Sequence, residues 1–155
     1  MKLFFIALGS NIGEKKSHIN HAISEIGLRV GCITAISSFY ETEPDGFVSD
    51  NTFLNAVLAV ESELSPIEML DMTCSIERLL GCYTHRNEDG TYCDRIIDID
   101  IIACEDIVFQ NERLILPHPR MHLRHFVLDP LCEIAPEWIH PLLHRSAQTL
   151  RDELH

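Results

Sequence analysis

Two aspartates separated by a single residue, Asp98 and Asp100, stand in the run Arg95-Ile96-Ile97-Asp98-Ile99-Asp100-Ile101-Ile102. On a β-strand alternate side chains share a face, so the two carboxylates point the same way, with Cα atoms roughly 6.5–7 Å apart. Ile97, Ile99 and Ile101 then point the other way, into a core. Carboxylates so placed can hold one or two Mg²⁺ ions, which take oxygen ligands and commonly complete their octahedra with substrate phosphates. The plain alternative is a half-exposed strand with an acidic outer face, and D-x-D alone is a weak signal. Asp is depleted in strands, however, and two of them among isoleucines ask for a reason.

The positive charge supplies one. From Arg113 to Leu128 there is no Asp or Glu, although acids outnumber bases 24 to 12 in the whole chain. That window holds Arg113, Arg120 and Arg124 with His118, His122 and His125, and no lysine follows Lys16. The guanidinium fork suits bidentate phosphate recognition, so an anion site is preferred over simple pairing with the acidic surface. The histidines raise a zinc alternative, His118-x₃-His122-x₂-His125 and His140-x₃-His144. Tetrahedral zinc needs three or four convergent ligands, and His118, between Pro117 and Pro119, cannot share a regular helix with His122. His118 is better cast as a phosphate hydrogen-bond donor. Phe53 and Phe126 are core residues by default. Asn55 on an apolar strand needs hydrogen-bond partners, and a planar heterocycle would supply them.

The elements that must position these groups are legible in outline. The chain has 155 residues, 46% of them hydrophobic and 23% charged, with a net charge of −12. That is a globular composition of one-domain length, spanning residues 1–155. The acidity argues against nucleic acid and against an anionic membrane surface. Leu3–Leu8 predicts a buried first strand; its apolar run is too short for a signal peptide, and no run approaches membrane-spanning length. Six cysteines without a C-x-x-C pair read as reduced thiols in a cytoplasmic protein. Helical spacing follows over 15–26, then strands over Ile33–Phe39 and Phe53–Val60, separated by a loop from Glu41 to Thr52. Ser65, Pro66 and Glu68 form an S-P-x-E helix start, and Gly81 a stop. With a strand over Ile96–Ala103, the order is β-α-β-β-α-β, an α+β, ferredoxin-like pattern. The C-terminal extension predicts short strands near Val108 and Leu114–Leu116, then helices over Arg124–Ile134 and from Ser146.

Gly9-Ser10-Asn11, Ser38-Phe39-Tyr40-Glu41-Thr42, Phe53-Leu54-Asn55-Ala56 and Ile76-Glu77 lie in the same order as in one known family. So do the D-I-D-I strand and Leu116-Pro117-His118-Pro119-Arg120-Met121 through Arg124-His125-Phe126-Val127-Leu128. Together they resemble 6-hydroxymethyl-7,8-dihydropterin pyrophosphokinase, an early enzyme of folate biosynthesis. The resemblance implies a ferredoxin-like fold and transfer of the β,γ-pyrophosphoryl group of ATP to the pterin's hydroxymethyl oxygen, with AMP leaving. It implies two Mg²⁺ ions on Asp98 and Asp100, a pterin between Phe53 and Phe126, and Asn55 with Thr42 reading the pterin's edge. Glu77, Arg95, Arg113, His118 and Arg124 would line the nucleotide site, and Asp98 would orient or deprotonate the hydroxymethyl group. A monomer is expected. One departure stands out: the family's Gly-Arg-x-Arg after the second helix is here Gly81-Cys82-Tyr83-Thr84, and its Trp-Gly-Pro-Arg-like stretch is Tyr92-Cys93-Asp94-Arg95. Arg86 is the expected catalytic substitute for a lost arginine. The alternative is a paralogue that binds pterin and nucleotide but transfers poorly.

Overall fold

The computed structural model describes residues 1–43, 52–81 and 96–155. Its order is β1 (Lys2–Ser10), α1 (Lys15–Arg29), β2 (Cys32–Ile36), β3 (Tyr40–Thr42), β4 (Phe53–Ser62), α2 (Pro66–Leu79) and β5 (Asp98–Cys104). The short strands β6 (Phe109–Gln110) and β7 (Ile115–Leu116) follow. A 3₁₀ turn at Met121–Leu123 then leads into α3 (His125–Ile134) and α4 (Ala147–Glu153). The main sheet runs β2-β4-β1-β5, with β3 also paired to β4, and every pairing in it is antiparallel. This is the α+β, ferredoxin-like arrangement, with β6–β7 a separate hairpin.

Period-two alternation splits the core in two. Phe4, Ile6 and Leu8 of β1, Leu58 and Val60 of β4, and Ile99 and Ile101 of β5 pack with α1 and α2. Phe5, Val57, Ala59 and Ile102 point the other way and pack with Val127, Leu128 and Leu131 of α3 and Leu150 of α4. The helix start at Ser65 is a complete capping box: Glu68 N–H donates to Ser65 Oγ at 3.2 Å, and Ser65 N–H donates to Glu68 Oε1 at 2.9 Å. Both bonds satisfy donors that the first helical turn would otherwise leave unpaired.

One element differs from its sequence expectation. The strand over Ile33–Phe39 ends at Ile36, and a new strand, β3, starts at Tyr40 and runs to Thr42, into the expected loop from Glu41 to Thr52. The serines between explain the break. Ser37 Oγ accepts the Val57 N–H at 2.9 Å and donates to the Ser38 carbonyl at 2.8 Å. Ser38 N–H donates to the Glu133 carboxylate of α3 at 2.9 Å. Side chains thus take hydrogen bonds that a continuous ladder would have used. Among the described residues, Cys32, Cys74, Cys104 and Cys132 are free thiols, and no helix is long and apolar enough to cross a membrane.

Candidate active site

The α3–α4 layer covers only part of its side of the sheet, and the aspartates lie on that side near the ends of the central strands. Asp98 pairs with Gly9, and Gly9 with Asn55, which in turn pairs with Tyr40. One row across four strands therefore carries a carboxylate, a glycine, an amide and a phenol. Neighbouring strands lie about 4.8 Å apart, which puts Asp98 and Asn55 roughly 10 Å from each other. Asp100 stands on the same face as Asp98, opposite Ala7, while Ile97, Ile99 and Ile101 are buried on the other. The co-facial carboxylates expected from the sequence are present.

Asn55 is only 6% exposed, and its amide is held in one orientation. Its Nδ2 donates to Thr42 Oγ1 at 2.6 Å, and the register Thr42↔Phe53 places Thr42 one step along the same face. With Nδ2 so engaged, Oδ1 lies towards Gly9: a Cβ there would sit 3.2 Å from Asn55 Oδ1 and 3.5 Å from Phe53 Cδ1. Glycine keeps this floor open. Phe126, in the first turn of α3, packs against the core on the same side of the sheet, with the Arg124 guanidinium 5.3 Å above its ring. Phe53, Asn55, Thr42 and Phe126 thus share one side of the sheet.

A second space adjoins the aspartates. A cavity of about 300 Å³ has Asp100, His118 and Arg113 on its walls, with Leu70 and Ile101 as apolar surface. That volume lies at the lower end of the range for small-ligand sites. Arg113 also pairs with Asp71 of α2 at 2.5 Å, so this arginine does meet the acidic surface as well as the cavity. His118 Nδ1 accepts the Arg120 N–H at 3.2 Å, which leaves the proton of the neutral ring on Nε2 as a donor. Burial, with Arg124 and Arg120 nearby and Asp98 opposing, pushes the His118 pKa down to about 4. His118 is a neutral hydrogen-bond donor at pH 7, suited to an anionic oxygen.

Glu77 is buried, and its Oε2 accepts the Ile99 N–H at 2.9 Å. It therefore meets the backbone between the two aspartates from the α2 side. Sequence reading passed over Gly9, Leu70 and the Glu133 clamp. Glu133 binds Ser38 and accepts from Tyr40 OH at 2.7 Å, and that bond and burial push the tyrosine pKa up to about 12. Only Gly9 had a local signal, the Gly9-Ser10-Asn11 motif. Arg86 and Arg95, with the Cys82 and Thr84 departures, lie outside the described residues.

The residues fit magnesium better than zinc. Among the described residues no three His, Cys, Asp or Glu side chains converge. His140 Nδ1 accepts from the Leu142 and Leu143 N–H groups, and His122 packs edge-on against His140 at 6.3 Å. His125 lies 3.6 Å from Asp129. Two carboxylates on one face match Mg²⁺, which draws its remaining ligands from water and phosphate.

Residues 5–136 match the family model for 7,8-dihydro-6-hydroxymethylpterin-pyrophosphokinase. The chain is 46% identical over 142 residues to the 2-amino-4-hydroxy-6-hydroxymethyldihydropteridine pyrophosphokinase of Porphyromonas gingivalis, covering 91% of this chain and 95% of that one. The enzyme of the same name from Aquifex aeolicus is 35% identical over 153 residues, covering 99% and 92%. In fold, the chain superimposes with a TM-score of 0.77 on a crystal structure of Plasmodium falciparum HPPK-DHPS with pteroate, at 18% identity. The match covers 98% of this chain and 42% of that longer one.

Proposed function

The chain belongs to the 7,8-dihydro-6-hydroxymethylpterin-pyrophosphokinase family, and we propose that Asp98 and Asp100, between two adjoining spaces, are the centre of its reaction. It is an ATP-dependent enzyme of folate synthesis that moves pyrophosphate from ATP to the hydroxymethyl group of 6-hydroxymethyl-7,8-dihydropterin. The paralogue that binds without efficient transfer is not favoured by relatives that carry the enzyme's name at 35–46% identity.

The pterin lies over Gly9, between Phe53 and Phe126. Asn55 Oδ1, turned from Thr42, accepts from the pterin's ring N–H and amino donors. ATP occupies the cavity beside Asp100, with His118 Nε2–H on a phosphate oxygen and Arg113 and Arg124 offsetting its charge. Asp98 and Asp100 would hold the two Mg²⁺ ions, which would supply charge neutralisation for the triphosphate. Asp98, on the Gly9 side of the pair, orients or deprotonates the hydroxymethyl oxygen. That oxygen attacks the β-phosphorus as the bond to the bridging oxygen of AMP breaks. Most of the acceleration comes from positioning and charge stabilisation. Arg86 and Arg95 add positive charge from the segment between α2 and β5.

The observation that carries this assignment is the placement of the two aspartates on one face, with Asn55 and Gly9 on one side and His118 and Arg113 on the other. Incubation with ATP, Mg²⁺ and 6-hydroxymethyl-7,8-dihydropterin should release AMP, at a rate lowered at least a hundredfold in Asp98→Ala and Asp100→Ala. Near-normal turnover in either variant would sink the assignment. Arg86→Ala should lower kcat well beyond its effect on the KM for ATP; an unchanged kcat would remove Arg86 from the site.

A further inference from the structure

The strand that carries both aspartates is the outer strand of its sheet: β5 pairs with β1, and the described residues place no other strand against it. An edge strand leaves backbone groups unpaired on one side; here the His118 N–H meets that side at the Ile102 carbonyl, 2.8 Å away. The Ile99 N–H, between the two aspartates, is donated not to β1 but to the carboxylate of Glu77, at 2.9 Å. Glu77 is 7% exposed and lies near the end of α2. The helix therefore supplies, from the core side, the hydrogen bond that a further strand would have made.

We propose that Glu77 is a positioning residue for the metal-binding pair: its grip on the Ile99 amide sets the pitch of β5 and so the separation and aim of the Asp98 and Asp100 carboxylates. Glu77 does this through the backbone of β5, from the α2 side of the strand. Groups that orient the ligands of a metal are worth typically 10–100-fold in metal affinity or activity. The inference rests on Asp98 and Asp100 being the Mg²⁺ ligands.

Two conservative substitutions separate reach from charge. Glu77→Gln keeps an oxygen at the same reach and loses the charge. Glu77→Asp keeps the charge and withdraws the oxygen by one carbon–carbon bond. The measurements are Mg²⁺ affinity in the presence of α,β-methylene-ATP, whose α–β linkage cannot be cleaved, and the hydrogen-exchange rate of the Ile99 amide. Glu77→Gln should bind Mg²⁺ within about threefold of the parent. Glu77→Asp should bind it about 10–100-fold more weakly, with faster Ile99 exchange. The pterin KM should stay within about twofold in both, because Thr42, Phe53 and Asn55 stand on other strands.

The reverse order, with Asp normal and Gln impaired, would show that the charge acts directly and would overturn the proposal. Normal Mg²⁺ affinity in both variants would do the same. Were both impaired, faster Ile99 exchange in both would support it and unchanged exchange would overturn it. Asp98→Asn and Asp100→Asn are the controls. If they bind Mg²⁺ normally, the metal assignment itself has failed; if they lose it while the Glu77 variants do not, only the positioning role has.

Discussion

Replacing Gly9 by alanine tests whether the floor between Asp98 and Asn55 is where the pterin lies. Gly9 is buried in β1, paired with Asp98 on one side and Asn55 on the other. The added methyl would stand 3.2 Å from Asn55 Oδ1 and 3.5 Å from Phe53 Cδ1. The first distance is tight for carbon against oxygen, so the amide must yield by a few tenths of an ångström. It has little freedom to do so, since Nδ2 is bound to Thr42 at 2.6 Å.

Two consequences follow, of different size. For stability, alanine in a strand gains about 0.5–1 kcal/mol over glycine, which the tight contact roughly offsets. The melting temperature should therefore hardly move. For binding, the methyl covers the floor and displaces an acceptor whose hydrogen bond is worth about 0.5–1.5 kcal/mol. Lost stacking adds to that, so kcat/KM for the pterin should fall about tenfold or more while the KM for ATP stays unchanged. Steady-state kinetics with each substrate varied in turn, beside a thermal melt, reads all three quantities. A Gly9→Ala enzyme whose pterin kcat/KM lies within twofold of the parent would refute the reasoning.

Thr42→Val removes the acceptor that orients Asn55 and should raise the pterin KM about 5–20-fold, with Thr42→Ser restoring most of it; equal KM values in the valine and serine variants would count against the bond. Ser65→Ala breaks the capping box and should cost about 1 kcal/mol, or roughly 2–4 °C in melting temperature for a chain of this size, without altering kcat at saturating substrate. His118 has a pKa near 4 in the fold against an ordinary 6.5. Between those values the unfolded chain binds more protons, so stability contributed by its neutral form is lost as pH falls from about 6.5 to 4. His118→Gln should flatten denaturation midpoints across that window, and an unchanged slope would show that the ring is not buried as described.

Features that depend only on near neighbours along the chain were legible before any fold was known. Strand periodicity is a local property of the backbone, so the shared face of Asp98 and Asp100 was legible from the D-I-D-I run alone. The Ser65–Glu68 capping box spans four residues and was equally plain. The acid-free window from Arg113 to Leu128 could be recognised as a concentration of positive charge, though not that Arg113 would also meet Asp71. Tertiary structure decided the rest. The break after Ile36 depends on Glu133, 95 residues from Ser38, and no local pattern distinguishes that glutamate from others on the surface. The same holds for Glu77 and the Ile99 amide, 22 residues apart. The openness of the floor at Gly9 depends on Asn55 and Phe53 arriving from another strand. A hydrogen bond between distant residues is specified by the packing of whole elements, which no window of sequence contains; the two carboxylates were written in the strand, but what holds and flanks them was assembled by the fold.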